Sequence, residues 1–501
     1  MPTLRVIGGS RCLFSCKQCA NCGCVEPKVR GTQKPNLTSV RLSIKHASLL
    51  ILSIGLAQSC VGYTPRLLDN EVKSALTAPD MAQIRIEARQ IKHPLLKPIE
   101  LDMRDGLSAD EAAILAVLAN LKLRSVRDQR GIASAQVLQA GILPNPQLSY
   151  TRDIPTGNAE QGLVPGYGIN LNWEVTALIS RSAKIAAAAS DAAAVNLDVA
   201  WQEWQTAEAA KLQVLHLYFL DRQLEIAGTE EEGLRQNLDV VRRALDRGFV
   251  TTIEVAAAEA ALNKTRADVL MKKQQREQER LTLNELLGFP PEVILQLQSQ
   301  DATSWTKALP PLQEFTDEIE DRRLDLLALK SGYQSQEERL RAAILQQFPK
   351  ISLGFSRARD TTDVVSTGFG ITIDLPLFDR NQGGIALESA TRSKLFDEYI
   401  ERVFEARGEV AHILANIESL RRQREVAERS IPTMQKVVES YGVALRQGNA
   451  DVVTYYNARA ELTAKQLELI DLNHQLDDLR VGLEIASGGY LEQGDKKGAI
   501  P

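Results

Sequence analysis

Long apolar runs are scarce in this sequence. The one continuously apolar stretch, Ala47–Ala57, falls short of the roughly 20 residues that a membrane-spanning helix needs. Any crossing of a bilayer must therefore use strands. Histidine is also scarce: His46, His93, His216, His412 and His474 are scattered and form no HExxH pair. Neither a Walker loop nor a Gly-x-Ser-x-Gly turn occurs, and the chain is read as no enzyme, with no cofactor and no metal. A net positive balance is missing from the body. Residues 1–59 carry eight Lys/Arg against one Glu, whereas the remainder carries 51 basic and 63 acidic residues. An acidic body lacks the basic face of a nucleic-acid binder. Aromatics make up only 5%. What is plentiful is Ala, Leu, Glu, Gln and Arg, which favours long helices. At 501 residues and 44% apolar, the chain can bury the core of two or three domains.

Five of the six cysteines, Cys12, Cys16, Cys19, Cys22 and Cys24, crowd near the start. The Cys12-x3-Cys16-x2-Cys19 spacing resembles the cluster-binding triad of radical-SAM enzymes. That family needs a βα-barrel, and nothing downstream alternates strand with helix. A zinc knot is the other chemical option; the preferred reading of residues 1–40 is a spurious or atypical N-terminal extension. Residues 41–59 read as a signal peptide: basic Arg41 and Lys45, the apolar stretch, then small Ala57 and Ser59. Cys60 follows directly and resembles the lipidated cysteine of a lipobox, with a plain new N-terminus as the alternative. An N-terminal segment, residues 60–106, comes next.

The body is built twice. Leu121-Lys-Leu-Arg matches Leu324-Asp-Leu-Leu, and Pro146-Gln-Leu-Ser matches Pro349-Lys-Ile-Ser, both 203 residues on. Gly166-Tyr-Gly-Ile matches Gly368-Phe-Gly-Ile at 202, and Arg247-Gly248 matches Gln447-Gly448 at 200. A repeat of this length means two similar supersecondary units, here residues 107–291 and 317–488. Residues 292–316 link them, and 489–501 form a tail. In the first unit a capping box at Ser108 and Glu111 starts a helix predicted to run to about Leu143, where Pro144 and Pro146 stop it. Strands at 147–151 and 166–175, a helix from Ile179 to Asp246, a turn at Arg247-Gly248 and a helix from Thr252 to Leu287 complete it. The second unit repeats this with helices near 318–347, 384–446 and 451–487. A helix of that length spans about 100 Å. The two shorter helices of each unit, laid end to end, match it, which predicts a wall rather than a globule.

The strands alternate. Leu148, Tyr150, Ile169, Leu171, Trp173, Ile351, Leu353, Phe355, Phe369, Ile371 and Ile373 interleave with Gln, Ser, Asn, Gly and Thr. Alternation places the two sets on opposite faces. Apolar-out and polar-in is the signature of an outer-membrane barrel, and the apolar set is the candidate lipid face. Four strands cannot close a barrel, but three chains sharing four each can.

Leu107-Ser-Ala-Asp-Glu-Ala, Gln139-Ala-Gly-Ile-Leu-Pro-Asn-Pro-Gln-Leu-Ser149, Leu375-Pro-Leu-Phe-Asp-Arg-Asn-Gln-Gly383 and the tip turn Arg446-Gln-Gly448 resemble the TolC-type outer-membrane efflux proteins (the outer membrane factor family). The resemblance covers residues 100–490. It implies a mainly α fold with a transmembrane β part: a homotrimer in which the duplicated units form a 12-stranded barrel joined to a long periplasmic helical tunnel. It also implies a passive duct for metal ions or drugs, located in outer-membrane lipid with its tunnel in the periplasm. Its partners would be a periplasmic adaptor (membrane fusion) protein and an inner-membrane pump, of the resistance-nodulation-division type if Cys60 is an anchor. The family narrows its tip with acidic rings; the positions equivalent to one relative's rings hold Thr454 and Asn457 here. Asp451 is the acidic alternative, with Arg446 and Arg459 as latch partners beside Gly448, and Arg247, Gly248 and Glu254 at the other tip. A soluble coiled-coil scaffold is the rival reading, since residues 180–287 alone would permit one.

Overall fold

The computed structural model describes residues 62–68, 72–73, 76–156, 162–298, 309–447 and 449–490. The cysteine cluster, the signal segment, Cys60 and Gly448 lie outside the described residues. The chain divides after Leu68 into two compact units. Of the first, only an exposed stretch at its end is described; the second carries everything that follows.

After a short helix α1 (Met81–Arg89) the first repeat runs α2 (Ala109–Ala119), α3 (Leu121–Gly141), β1 (Gln147–Asp153), β2 (Gly166–Glu174), α4 (Ala177–Asp246) and α5 (Thr252–Leu286). Two short helices, α6 (Leu312–Thr316) and α7 (Ile319–Arg322), lead into the second. That repeat runs α8 (Leu324–Leu345), β3 (Lys350–Arg359), β4 (Val365–Asp374), α9 (Gln382–Arg446) and α10 (Val452–Ser487). The long helices α4 and α9 have 70 and 65 residues, about 105 and 98 Å at 1.5 Å per residue.

The expected single helix from Ser108 to Leu143 is two helices. Ser108 and Glu111 do form the capping box, but Asn120 breaks the run with an extended backbone. Its side chain accepts from the Leu123 amide at 3.1 Å and donates to the Leu286 carbonyl at 2.9 Å. The break thus restarts a helix and ties it to the end of α5. The helix expected over 318–347 is likewise divided, with Arg323 standing where Asn120 stands in the first copy. Arg323 is fully buried. It donates to Asp325 at 2.8 Å, Glu409 at 2.7 Å and the Ala486 carbonyl at 3.2 Å, and lies over the Trp201 ring. Each break faces a glycine at φ near +70°. A Cβ on Gly288 would meet the Ala119 carbonyl oxygen at 2.6 Å, and one on Gly488 would meet Arg323 Cγ at 2.9 Å. Only glycine combines that backbone with that approach.

The four strands form one antiparallel sheet in the order β1-β2-β3-β4. The helices follow the same order. α3 and α5 pack on α4, α4 packs on α8 and α10, and these pack on α9. β1 and β4 are both edge strands. The largest core lies where α1, α2, the segment after α5 and the middle of α4 meet around Trp201, Trp204 and Leu217. A second core joins α9 to α10 around Val410, Ile417 and Leu476.

Candidate functional site: a two-faced sheet and a helical tip

Residues directly opposite each other in a sheet share a face. The register pairs Leu148 with Leu171, Leu171 with Phe355, and Phe355 with Phe369. The next rows on that face hold Trp173, Leu353 and Ile371, then Ile351 and Ile373, and toward the loops Tyr150 and Ile169. All eleven residues expected on one side are therefore brought onto one side. The opposite face carries Gln147, Ser149, Asn170, Asn172, Ser352, Gly354, Ser356, Gly368, Gly370 and Thr372. Trp173 Nε1 donates to the Pro144 carbonyl at 2.9 Å, so its polar edge is satisfied at the helix end of the strand. At the same end the Thr176 hydroxyl accepts from the Ile351 amide, fastening the start of α4 to β3.

The opposite end of the long helices is a pair of tight turns. Gly248 takes φ +74° and its amide donates to the Leu245 carbonyl at 2.8 Å, while Phe249 donates to Ala244 at 2.9 Å. Asn449 donates to the equivalent Ala444 carbonyl at 2.8 Å. Arg247 and Arg446 are exposed beside these turns. Glu254 receives the Thr251 amide at 2.6 Å and its hydroxyl at 2.9 Å, completing a capping box for α5. Asp451 caps α10, accepting from the Thr454 hydroxyl at 2.7 Å and from the amides of Val453 and Thr454 at 3.0 Å. These donors, the hydroxyl foremost, hold its carboxyl below the usual range.

Within the chain, Arg459 pairs with Glu230 at 2.6 Å rather than with Asp451. This joint links α10 to α4 and was not visible in the sequence. Gly233 makes room for it, since a Cβ there would lie 2.7 Å from Arg459 Nη2. One turn away, Tyr456 donates its hydroxyl to Asn237 at 3.0 Å, above an apolar cluster of Leu234, Leu238, Val241, Val255 and Val452. The signal that could have found the joint was a glycine inside a helical pattern, which lowers helix propensity and so asks for a packing reason.

Two buried charge clusters lie farther up α4. Glu203 takes Arg127 at 2.6 Å and Arg130 at 3.0 Å. Lys211 lies between Glu208 at 3.4 Å and Glu484 at 3.0 Å and stands over the Tyr490 ring. Burial pushes Glu208 up to about 7, partly opposed by Lys211. Among the described residues no group of His, Cys, Asp and Glu is arranged to hold a metal ion, and no helix is long and apolar enough to cross a membrane.

A strand meander carrying a greasy and a polar face, continued by helices of 100 Å, defines the outer-membrane channel fold class. Residues 316–489 match the family model described as outer membrane efflux protein. It is 24% identical over 285 residues to the cation efflux system protein CusC of Escherichia coli O6:H1, covering 54% of this chain and 61% of the relative. It is 22% identical over 277 residues to the probable outer membrane lipoprotein SilC of Salmonella typhimurium, covering 53% and 60%. These matches thus span somewhat less than two thirds of the relatives' length. Among solved structures, the outer-membrane channel OprN superposes with a TM-score of 0.67 at 18% identity, covering 86% of this chain and 99% of that one.

Proposed function

We propose that three copies of this chain form a passive duct through the outer membrane, the exit component of a tripartite efflux system. The carrying observation is the pair of bare edges at β1 and β4 on a sheet whose helices follow the same order. An open edge in lipid leaves backbone groups unsatisfied at several kcal/mol each. Head-to-tail repetition of the strip, β4 of one copy against β1 of the next, removes every edge if the rotation closes. Three copies give twelve strands. The face of Leu148, Leu171, Phe355 and Phe369 then meets lipid, and the face of Asn170, Ser352 and Gly370 meets the water-filled lumen.

In this arrangement α4, α9 and their shorter neighbours line a periplasmic conduit. Its tip carries Glu254 and Asp451 from each copy, with Arg247, Gly248, Arg446 and Arg459 beside them, as the narrowing that a periplasmic adaptor opens. An inner-membrane pump of the resistance-nodulation-division type supplies the cargo. Relatives named for cation efflux and as a lipoprotein support metal ions as that cargo and lipidation of Cys60. Purified from membranes in detergent, the full chain is expected to sediment as a trimer and to conduct ions in planar bilayers. A protein that stays monomeric in detergent, or a trimer without conductance, would overturn the reading; the soluble-scaffold alternative predicts that the chain stays in the soluble fraction.

A further inference from the structure

The lipid-side face of the sheet is not uniform along the strands. At the helix end its rows hold Trp173, Leu353 and Ile371, then Ile351 and Ile373. At the loop end the register places Arg152, Tyr167, Arg359 and Val365 in one row, and Tyr150, Ile169, Arg357 and Thr367 in the next. Three arginines thus share one rim of an otherwise apolar face. Strands about 4.8 Å apart and a rise of about 3.4 Å per residue put their Cα atoms within roughly 12 Å of one another. The helix-end rim of the same face has no cation, because Lys350 there belongs to the polar face.

An arginine at the bilayer midplane of a barrel's lipid face costs about 2–4 kcal/mol, and about 0–1 near the interface. Three of them on one rim therefore mark where hydrocarbon ends. Among the described residues the carboxylates do not neutralise the set. Arg359 pairs with Asp363 at 2.5 Å. Asp360 is turned toward its own loop, accepting from Thr362 and Val364. Among the described residues Arg152 and Arg357 have no carboxylate partner. Tyr150 and Tyr167 flank them, as aromatic residues flank the lipid band of barrels.

We propose that Arg152, Arg357 and Arg359 form a binding site for the phosphorylated saccharide headgroup of an outer-leaflet lipid. The proposal rests on the barrel reading above, which turns this face to lipid and this rim to the exterior. Guanidinium forks suit phosphate oxygens, donating at two points and remaining charged at any pH of interest. Clustered cations at a membrane surface are the general device for recognising anionic lipid headgroups. Closure into a trimer repeats the cluster three times around the rim, so one ring would hold up to three such lipids outside its wall.

The test uses the full-length trimer in nanodiscs of phosphatidylethanolamine doped with either bisphosphorylated lipid A or the same lipid with both phosphates removed. Native mass spectrometry then counts the retained glycolipid. The wild type is expected to retain the phosphorylated form at least about tenfold over the dephosphorylated one, the scale of a charge-assisted contact. R152S/R357S should bring that preference below about threefold, while K350S, at the other rim and face, should leave it unchanged. Equal retention of the two lipids by the wild type, or an unchanged preference in R152S/R357S, would overturn the proposal. Failure of the barrel reading looks different: no trimer would enter the nanodiscs with either lipid.

Discussion

Counted back from the ends of the two long helices at Asp246 and Arg446, Trp204 and Phe404 hold the same position, yet Trp204 is 0% exposed and Phe404 79%. The difference runs along both helices. α4 buries 21 of its 70 residues, whereas α9 buries five of its 65. The cause is neighbourhood rather than sequence. α4 has α3 and α5 on one flank and α8 and α10 on the other, while α9 touches partners on one flank only. Its bare flank presents Ile400 and Phe404. The duplicated unit thus supplies two helices alike in length and turn, one packed on both flanks within the chain and one packed on a single flank.

The comparison breaks most sharply at its central pair. Trp204→Ala should cost about 3–5 kcal/mol, the price of emptying a buried aromatic site, and should lower the denaturant midpoint at any protein concentration. Phe404→Ala should leave unfolding of the monomer within about 0.5 kcal/mol and reduce only the yield of trimer, read by sedimentation. Equal effects of the two on monomer unfolding would refute the contrast.

A smaller effect is expected at the joint near the tip. Arg459→Met strands Glu230, whose side chain is only 14% exposed, and should destabilise by about 2–3 kcal/mol. The double variant E230M/R459M should recover most of that loss, because an apolar pair often replaces a buried ion pair at little cost. At the matching position of α9 stands Ser430, whose hydroxyl only returns to its own helix at Ala427. Ser430→Ala should therefore change the denaturant midpoint by less than about 0.5 kcal/mol.

A further effect concerns pH. Glu208 is raised by burial to about 7 from an ordinary value near 4.5, so the folded state binds its proton more tightly than the unfolded state does. Its contribution is fully present below pH 4.5 and is lost as pH rises through 7. Glu208→Gln should flatten the fall in urea midpoint between pH 5 and 8 by about 1–2 kcal/mol. The matching residue on α9, Gly408, has nothing to titrate. An undiminished slope in the Gln variant would remove Glu208 as its source.

Much of this architecture was legible in the residues. The period-2 alternation placed all eleven apolar strand residues on one face, because a pleat allows only two sides. Gly248 marked its turn, since it takes a backbone that other residues avoid. The breaks at Asn120 and Arg323 were not legible. Asn120 sits inside an apolar and Arg323 inside a charged helix-forming stretch, and their reason lies in the distant Leu286 and Ala486 carbonyls. The Arg459–Glu230 pair was hidden for a similar cause: its partners lie in different repeats. The emptiness around α9 could not be read either, for Ile400 and Phe404 have the spacing of any buried helical stripe.

The two unsatisfied margins at β1 and β4 have a consequence for mixed populations. In the proposed ring, a copy damaged at one margin would still offer a sound one, so it could join a growing assembly and then prevent it from closing. With sound and damaged copies made in equal amounts and drawn at random, only about one ring in eight would be built wholly of sound copies. Lesions confined to either margin would thus be dominant in a cell carrying both alleles, whereas lesions in the Trp204 core, which remove the copy before it can join, would be recessive.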